Sequence, residues 1–368
     1  MKTTLNTVRI PESLELHRQP SDNQVLSPEE WAKYDAHTLF YDVFLDQAGK
    51  RLVAIGPPAN NLASYIASTT LKINGKHQRF KFRDLPDYKL SLLEANVTIH
   101  SDCHVEFRFA DFSASFLLSR NQNPAGKRIL AAISKDNAPE WVATWADFHR
   151  YNYAIDEVIV YDNGSKNLNE LKDAIRGKAH IIDWKFPYGP PRKRYNKFAQ
   201  PGALNHCLRK FGKNGVLFNF DIDELLIGDK ARLDKELSSS GTVYLDSHNV
   251  PLTSSPPTTY THYDFSLRQP NKRRSARKFI CQEKAVAVIS QHNTWKNSKI
   301  PFVKKFQRCK PEALESQHAY FLHFLPITTN WQPGLGKLDI IDAKGLQREV
   351  SHIEKKPTST DHLQLKVG

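Results

Sequence analysis

The stretch GVLFNFDIDELLIGD, Gly215 to Asp229, runs an apolar strand directly into Asp221, Asp223 and Glu224. In an extended strand, residues two apart project to the same side. Asp221 and Asp223 are therefore expected to point together into a crevice while Ile222 turns into packing. Two carboxylates so close repel unless a cation or a proton lies between them. A hard divalent ion suits such oxygen ligands, and Mg2+ or Mn2+ commonly completes its shell with water and substrate phosphates. The plainer alternative is that the acids cap a following helix or face solvent.

Upstream, short apolar strands alternate with helical patterns. ILAAIS, EVIVYD and AHIIDW read as strands, DNAPEWVATWADFHRYNY and LNELKDAIRG as helices, and NKFAQPGALNHCLRKFG as a further helix leading into VLFNFD. Such alternation predicts an α/β fold, a mostly parallel sheet flanked by helices. Ligands of these sheets bind at the carboxyl ends of the strands, where YDNGS and DIDE both fall. Before Ser119 the signals are those of antiparallel strands. HVEFRFADF alternates, with Val105, Phe107 and Phe109 on one face, and Asn74-Gly75 marks a hairpin turn. The expected organisation is an arm over 1–30, a smaller antiparallel β module over 31–122, the α/β domain over 123–341 and a polar tail over 342–368.

Lys and Arg number 52 against 39 Asp and Glu, a surplus that favours anionic partners without choosing among them. Cys103, Cys207, Cys281 and Cys309 are too far apart for a zinc ribbon or a redox dithiol and read as buried thiols. No run approaches the roughly 18 apolar residues of a membrane span. The first residues lack the apolar core of a signal peptide, so a cytoplasmic location is expected, with peripheral contact at the inner membrane face as an option.

Three blocks together resemble one family. FNFDIDELL resembles the Asp-x-Asp signature of GT-A glycosyltransferases. WADFHRYNYAIDEVIVYDNGSKN resembles a block of glycosyltransferase families 2 and 92, in which a Trp and a His precede a YDNxS strand end. AYFLHFLPITTNW is similar to the His-containing block that follows the catalytic core in family-92-like bacterial members. The resemblance covers about Arg128 to Trp331 and implies a Rossmann-like GT-A catalytic domain. It implies a metal-dependent transfer of a sugar from a nucleotide-diphosphate donor, most simply a UDP-sugar, to a glycan or lipid-linked glycan. Inversion at the anomeric carbon and a place in cell-surface polysaccharide synthesis go with it.

Carried over residue by residue, the resemblance puts Asp162 at the nucleotide base, with Asn163, Gly164 and Ser165 forming the turn after it. Asp136 and Asn137 match positions that touch the nucleoside, and capping of the next helix explains them equally well. Asn167 stands where relatives often have Asp. Gln200 and Asn205 match polar positions facing the donor. Arg192, Lys193, Arg194 and Lys197 either hold diphosphate or form a solvated basic loop. Asp221 and Asp223 would bind Mn2+ or Mg2+, Glu224 would position them or contact the sugar, and His323 or, second, His292 would complete the shell. Asp246 and His248 are candidates for the general base that takes the acceptor proton. Lys272, Arg273, Arg274, Arg277 and Lys278 fall where such enzymes bind acceptor, and either an anionic acceptor or a solvated loop accounts for them.

Two other classes compete. A nucleotidyltransferase shares the sheet and the carboxylates, yet SKDNAPEW is neither Gly-rich nor strongly basic. A non-enzymatic nucleic-acid-binding protein would use the basic surplus but leaves the strand-end carboxylates unexplained, and no RNA-recognition, KH or zinc-finger pattern is present. No nucleic-acid partner is expected.

Overall fold

The computed structural model describes residues 4–21, 25–120, 124–190, 197–297, 306–329 and 340–357. The chain divides into two compact units, one of residues 1–125 with 182–213 and one of 126–181 with 214–368.

The first unit contains two four-stranded antiparallel sheets. Alternation explains its core: Val105, Phe107 and Phe109 are buried while Arg108 between them is exposed. Asn74 and Gly75 both adopt positive φ, 49° and 77°, as a two-residue turn matching the twist of the strands requires. The described part of the arm is tied down. Val8–Arg9 pairs with Thr38–Phe40, and the fully buried guanidinium of Arg18 donates to the carbonyls of Asp35, Thr38 and Pro58. Those orphan carbonyls need donors once water is excluded, and a five-donor fork supplies them. The segment 182–213, read from the sequence as part of the α/β alternation, also packs in this unit. Its helix, Ala199–Lys210, brings His206 and Lys210 within 2.9 and 2.7 Å of the buried Asp42 carboxylate.

The second unit is built on a sheet of eight strands. In chain order the elements are β1 (Arg128–Ser134), α1 (Pro139–Tyr153), β2 (Glu157–Asp162), α2 (Leu168–Ala174), β3 (His180–Asp183), β4 (Val216–Asn219), β5 (Glu224–Gly228), α3 (Lys230–Ser240), β6 (Thr242–Val250), β7 (Arg273–Gln282) and β8 (Ala319–Phe324). Their order across the sheet is β3-β2-β1-β4-β7-β6-β8-β5. The chain leaves this unit within the edge strand β3.

β1 is parallel to β2 on one side and to β4 on the other. The chain runs from β1 outward to β2 and β3 and then returns to the other side of β1 as β4, so the strand order reverses between β1 and β4, the kind of switch point at whose carboxyl ends α/β sheets bind ligands. Beyond β4 the sheet is mixed rather than mostly parallel. β4 and β7, β7 and β6, and β8 and β5 are antiparallel, and β6 and β8 parallel. The basic run that looked like a loop is the long inner strand β7, in which Arg277 and Lys278 pair with acids from other elements.

α1 starts at Pro139, tolerated at a first position that has no N–H to satisfy. Its cap is Ala138, with no side-chain bond, so neither Asp136 nor Asn137 caps it. Trp141, Trp145 and Phe148 are buried in the core. Edge strand β5 leaves backbone groups that α1 satisfies. His149 Nε2 accepts from Leu226 N–H (3.3 Å), and Tyr153 donates its hydroxyl to Leu226 O (2.7 Å). Burial pushes His149 down to about 4, which keeps it the neutral acceptor that this arrangement needs.

The polar tail is ordered over its described part. Gln347–Arg348 pairs with Leu267–Arg268, Glu349 accepts from Arg268 and Tyr320, and His352 is fully buried. All four cysteines are free and buried. Among the described residues no helix is long and apolar enough to cross a membrane.

Candidate metal centre

The acidic stretch follows the carboxyl end of β4, beside the β1–β4 switch point. It is a tight turn, not the extended strand that the sequence suggested. Glu224 N–H closes on Asp221 O (3.1 Å), and Glu224 returns a carboxylate oxygen to Asp221 N–H (2.8 Å). A turn closed over four residues abolishes the two-residue alternation expected to aim Asp221 and Asp223 to one side. Ile222 still packs into the core, and its carbonyl accepts from the buried His262 Nε2 (2.8 Å). Asp223 O accepts from Phe324 N–H (2.8 Å). The Ile222 and Asp223 carbonyls of the turn are thus held from the 260–265 loop and from β8.

The carboxylates have separate partners. Asp221 Oδ2 meets Lys278 Nζ at 2.5 Å, and the same ammonium reaches Glu224 Oε2 at 3.2 Å. Asp223 Oδ2 lies 3.1 Å from His323 Nε2. Glu224 faces His323 directly across β5 and β8, and His323 faces Asn249 across β8 and β6. Directly opposed residues share a face, so Glu224, His323 and Asn249 form one row. Asp223, Glu224 and His323 each offer a ligand atom, all within 4.8 Å of one another. His323 Nδ1 lies 3.2 Å from Asn249 Oδ1, and Asn249 Nδ2 donates to Gln269 Oε1 (3.2 Å). With Nδ1–H given to Asn249, Nε2 keeps a lone pair for a metal.

The electrostatics follow from burial and proximity. Burial opposes ionisation of Asp221, but Lys278 outweighs it and holds the carboxyl below its ordinary value. Glu224 is pushed up to about 8, by burial first and then, against the pull of Lys278, by the charges of Asp221 and Asp223. Burial also opposes the charge of His323, yet Asp223 draws its pKa upward. A proton on Glu224 is one answer to the crowding of acids, and a divalent ion is the other.

This gives a pH prediction with a definite sign. Between the ordinary glutamate value of 4.5 and about 8, the folded, metal-free protein keeps a Glu224 proton that the unfolded chain has lost. Stability from this group is therefore full below 4.5 and is lost as pH rises through about 8. The upward shift of His323 acts in the same direction. Urea unfolding in chelator across this range should show the decline, and Glu224→Gln should flatten it. A decline of equal slope in the variant would assign it to other groups.

The remaining site candidates are placed as follows. Asp162 is fully buried, and its carboxylate accepts from Gly164 and Ser165 N–H (3.0 and 3.2 Å). Asn163 N–H donates to Ser134 O (2.8 Å). Asp136 Oδ1 accepts from Lys166 N–H (2.7 Å), Asp136 N–H donates to Ser165 Oγ (2.8 Å), and Asn137 Nδ2 donates to Ser134 Oγ (2.9 Å). These bonds knit the strand-end loops of β1 and β2 together beside the switch point.

His292 is not one of the three side chains that converge on the turn. Its Nδ1 donates to Arg277 O (3.0 Å), and burial with the nearby Lys278 charge pushes it down to about 4. Asp246 takes Arg277 Nε at 2.6 Å, and the same guanidinium meets Glu312 and Glu315 at 3.3 and 3.2 Å. Arg277 and Lys278 are consecutive in β7 and point to opposite faces, so Asp246 faces away from the carboxylate turn. His248 alternates with Asn249 and likewise points away, where Arg268 donates to its Nδ1 (2.8 Å) and Tyr320 packs edge-on. Neither is placed to serve as a base at the metal row.

Gln200, Asn205 and Lys197 belong to the first unit. Gln200 Oε1 accepts from Tyr188, Asn205 Nδ2 donates to Pro201 O, and Lys197 Nζ lies 6.0 Å from the Tyr188 ring centroid. Arg192, Arg194 and the side chain of Arg274 lie outside the described residues. Of the basic cluster, Arg273 is exposed, whereas Arg277 and Lys278 are buried and paired. Sequence reasoning missed the roles of Lys278 and Asn249. The only signal for Asn249 is its place beside His248 in a polar strand end.

No protein-family model and no curated protein matches the chain. Among solved structures it is similar to S. aureus TarS 1-349, at 12% identity and a TM-score of 0.26 over 43% of this chain and 48% of that one. It is also similar to S. aureus TarS 1-349 in complex with UDP, at 10% identity and a TM-score of 0.27 over 43% and 47%. The chain spans about half the length of these structures.

Proposed function

We propose that the chain is a metal-dependent glycosyltransferase. It moves a sugar, with inversion, from a nucleotide-diphosphate donor, most simply a UDP-sugar, to a glycan or glycolipid acceptor in polysaccharide synthesis. The observation that carries this reading is the convergence of Asp223, Glu224 and His323 on a braced turn at the sheet's switch point. Two carboxylates and an imidazole suit Mn2+, and with water and phosphate oxygens they also suit Mg2+. A bound divalent ion would neutralise charge on the departing diphosphate.

The chain's own residues have separable tasks in this proposal. Asp223, Glu224 and His323 hold the ion, and Asn249 fixes the His323 tautomer. The knitted Asp136–Asn137 and Asp162–Ser165 loops present a rigid rim for the nucleoside, with backbone rather than the Asp162 carboxylate as the main contact. Acceptor contacts fall to residues other than Arg277 and Lys278. Two of the charges that favoured the nucleic-acid reading, Arg277 and Lys278, are paired inside the sheet.

A thermal-shift panel tests the proposal. UDP, GDP, CMP and a single-stranded oligonucleotide are each added with and without Mn2+. One nucleoside diphosphate should raise the melting temperature only when Mn2+ is present. A shift with oligonucleotide alone, indifferent to Mn2+, would replace the transferase by a nucleic-acid-binding function.

A further inference from the structure

Lys278 is 1% exposed, yet its ammonium lies between two carboxylates of the acidic turn. The register explains why. Phe279 of β7 pairs with Asn219, the last residue of β4. Lys278, one residue earlier in an antiparallel neighbour, therefore stands level with the chain as it leaves β4 for the turn. An isolated ammonium at such a depth is strongly disfavoured, and a second carboxylate contact is more than a simple ion pair needs.

We propose that Lys278 is a resident cation of the metal centre, which restricts the site to a single divalent ion and sets its affinity. The inference rests on the metal-centre reading above. Its basis is a balance of charge. In the loaded state Asp221, Asp223 and Glu224 carry three negative charges and Lys278 one positive, which leaves the two that one divalent ion neutralises. Lys278 holds Asp221 and the near oxygen of Glu224, so the turn's remaining ligand face is that of Asp223, Glu224 and His323. It is a positioning residue: it acts on the ion through the carboxylates.

The test is titration of Mn2+ into the full chain, with free Mn2+ read by its electron paramagnetic resonance signal. The proteins are wild type, Lys278→Met, Lys278→Arg and Asp223→Asn. Wild type should bind one ion at the turn, and Asp223→Asn should lose it. Lys278→Met should bind Mn2+ at least roughly tenfold more tightly, because a like charge a few ångströms from the ion is gone. Lys278→Arg, which keeps the charge, should stay near wild type. In chelator the Met variant should also melt earlier than wild type and recover with Mn2+.

Absence of Mn2+ binding by wild type would overturn the metal centre itself. Normal wild-type binding with unchanged or weaker affinity in Lys278→Met would overturn the role of Lys278 alone. Should the Met variant fail to fold, Lys278→Gln, neutral and polar, takes its place under the same criteria.

Discussion

Replacing Asp223 by Asn is expected to abolish Mn2+-dependent stabilisation by the nucleoside diphosphate and to lower kcat/KM by about 10²–10⁴. The magnitude follows from the several kcal/mol that a metal contributes to transition-state charge, at about 1.4 kcal/mol for each tenfold. The substitution is nearly isosteric. It leaves the Phe324 N–H to Asp223 O bond in place, because that bond uses the main chain. The fold should therefore survive, since the relief of crowding among the acids offsets the loss of the Asp223–His323 contact. Isothermal titration with Mn2+ and initial-rate kinetics with the UDP-sugar selected by the panel check both halves. A variant that keeps full activity would show that Asp223 is not a ligand in the reaction.

Arg277→Ala should produce the largest loss of stability, about 3–5 kcal/mol for removal of one partner of a buried ion pair. Arg277 and Asp246 are 8% and 2% exposed at the side chain, so little solvent screening discounts the figure. The truncation leaves the Asp246 carboxylate in a space that no longer contains its guanidinium. Glu312 is exposed and Glu315 half-buried, and water will serve them. Removing both partners, Arg277→Ala with Asp246→Ala, should recover part of the loss, since the costly state is the unpaired charge. Urea unfolding of the single and double variants measures this. Additive losses would mean that the pair is not energetically coupled. Because Asp246 faces away from the turn, Mn2+ binding by the folded fraction should persist in both variants.

What the sequence could and could not reveal follows from the range of the interactions concerned. The strands and helices from Arg128 to Asp183 are bounded by apolar runs and helical spacing, which are local signals. The concentration of acids after β4 was equally visible. Its shape was not, because whether Asp221 to Glu224 stays extended depends on a hydrogen bond closed within the turn and on His262 and Phe324 brought in from far along the chain.

Strand β7 was hidden for a related reason. A run rich in Arg and Lys looks solvated unless one knows that Asp246 lies 31 residues away and Asp221 57 residues away, ready to neutralise it. The same ignorance turned a mixed sheet into a mostly parallel one. It also left Lys278 to an acceptor surface or a solvated loop, when its ammonium lies between Asp221 and Glu224. The helix Ala199–Lys210 fits an α/β alternation by position alone, and its buried partner, Asp42, precedes it by more than a hundred residues. The 342–357 segment was read as a polar tail because its anchors, Glu349 and His352, are polar side chains whose partners Arg268, Tyr320 and His262 lie far away in the sequence.

The central claim is that a divalent ion sits on Asp223, Glu224 and His323 and joins the protein to a nucleotide diphosphate. Anomalous diffraction at the manganese edge, from crystals grown with Mn2+ and UDP, addresses it directly. The account predicts one strong anomalous peak within bonding distance of those three side chains, shared with diphosphate oxygens, while Lys278 stays on Asp221. A peak elsewhere, or a diphosphate bound with no anomalous scatterer at the turn, would contradict it.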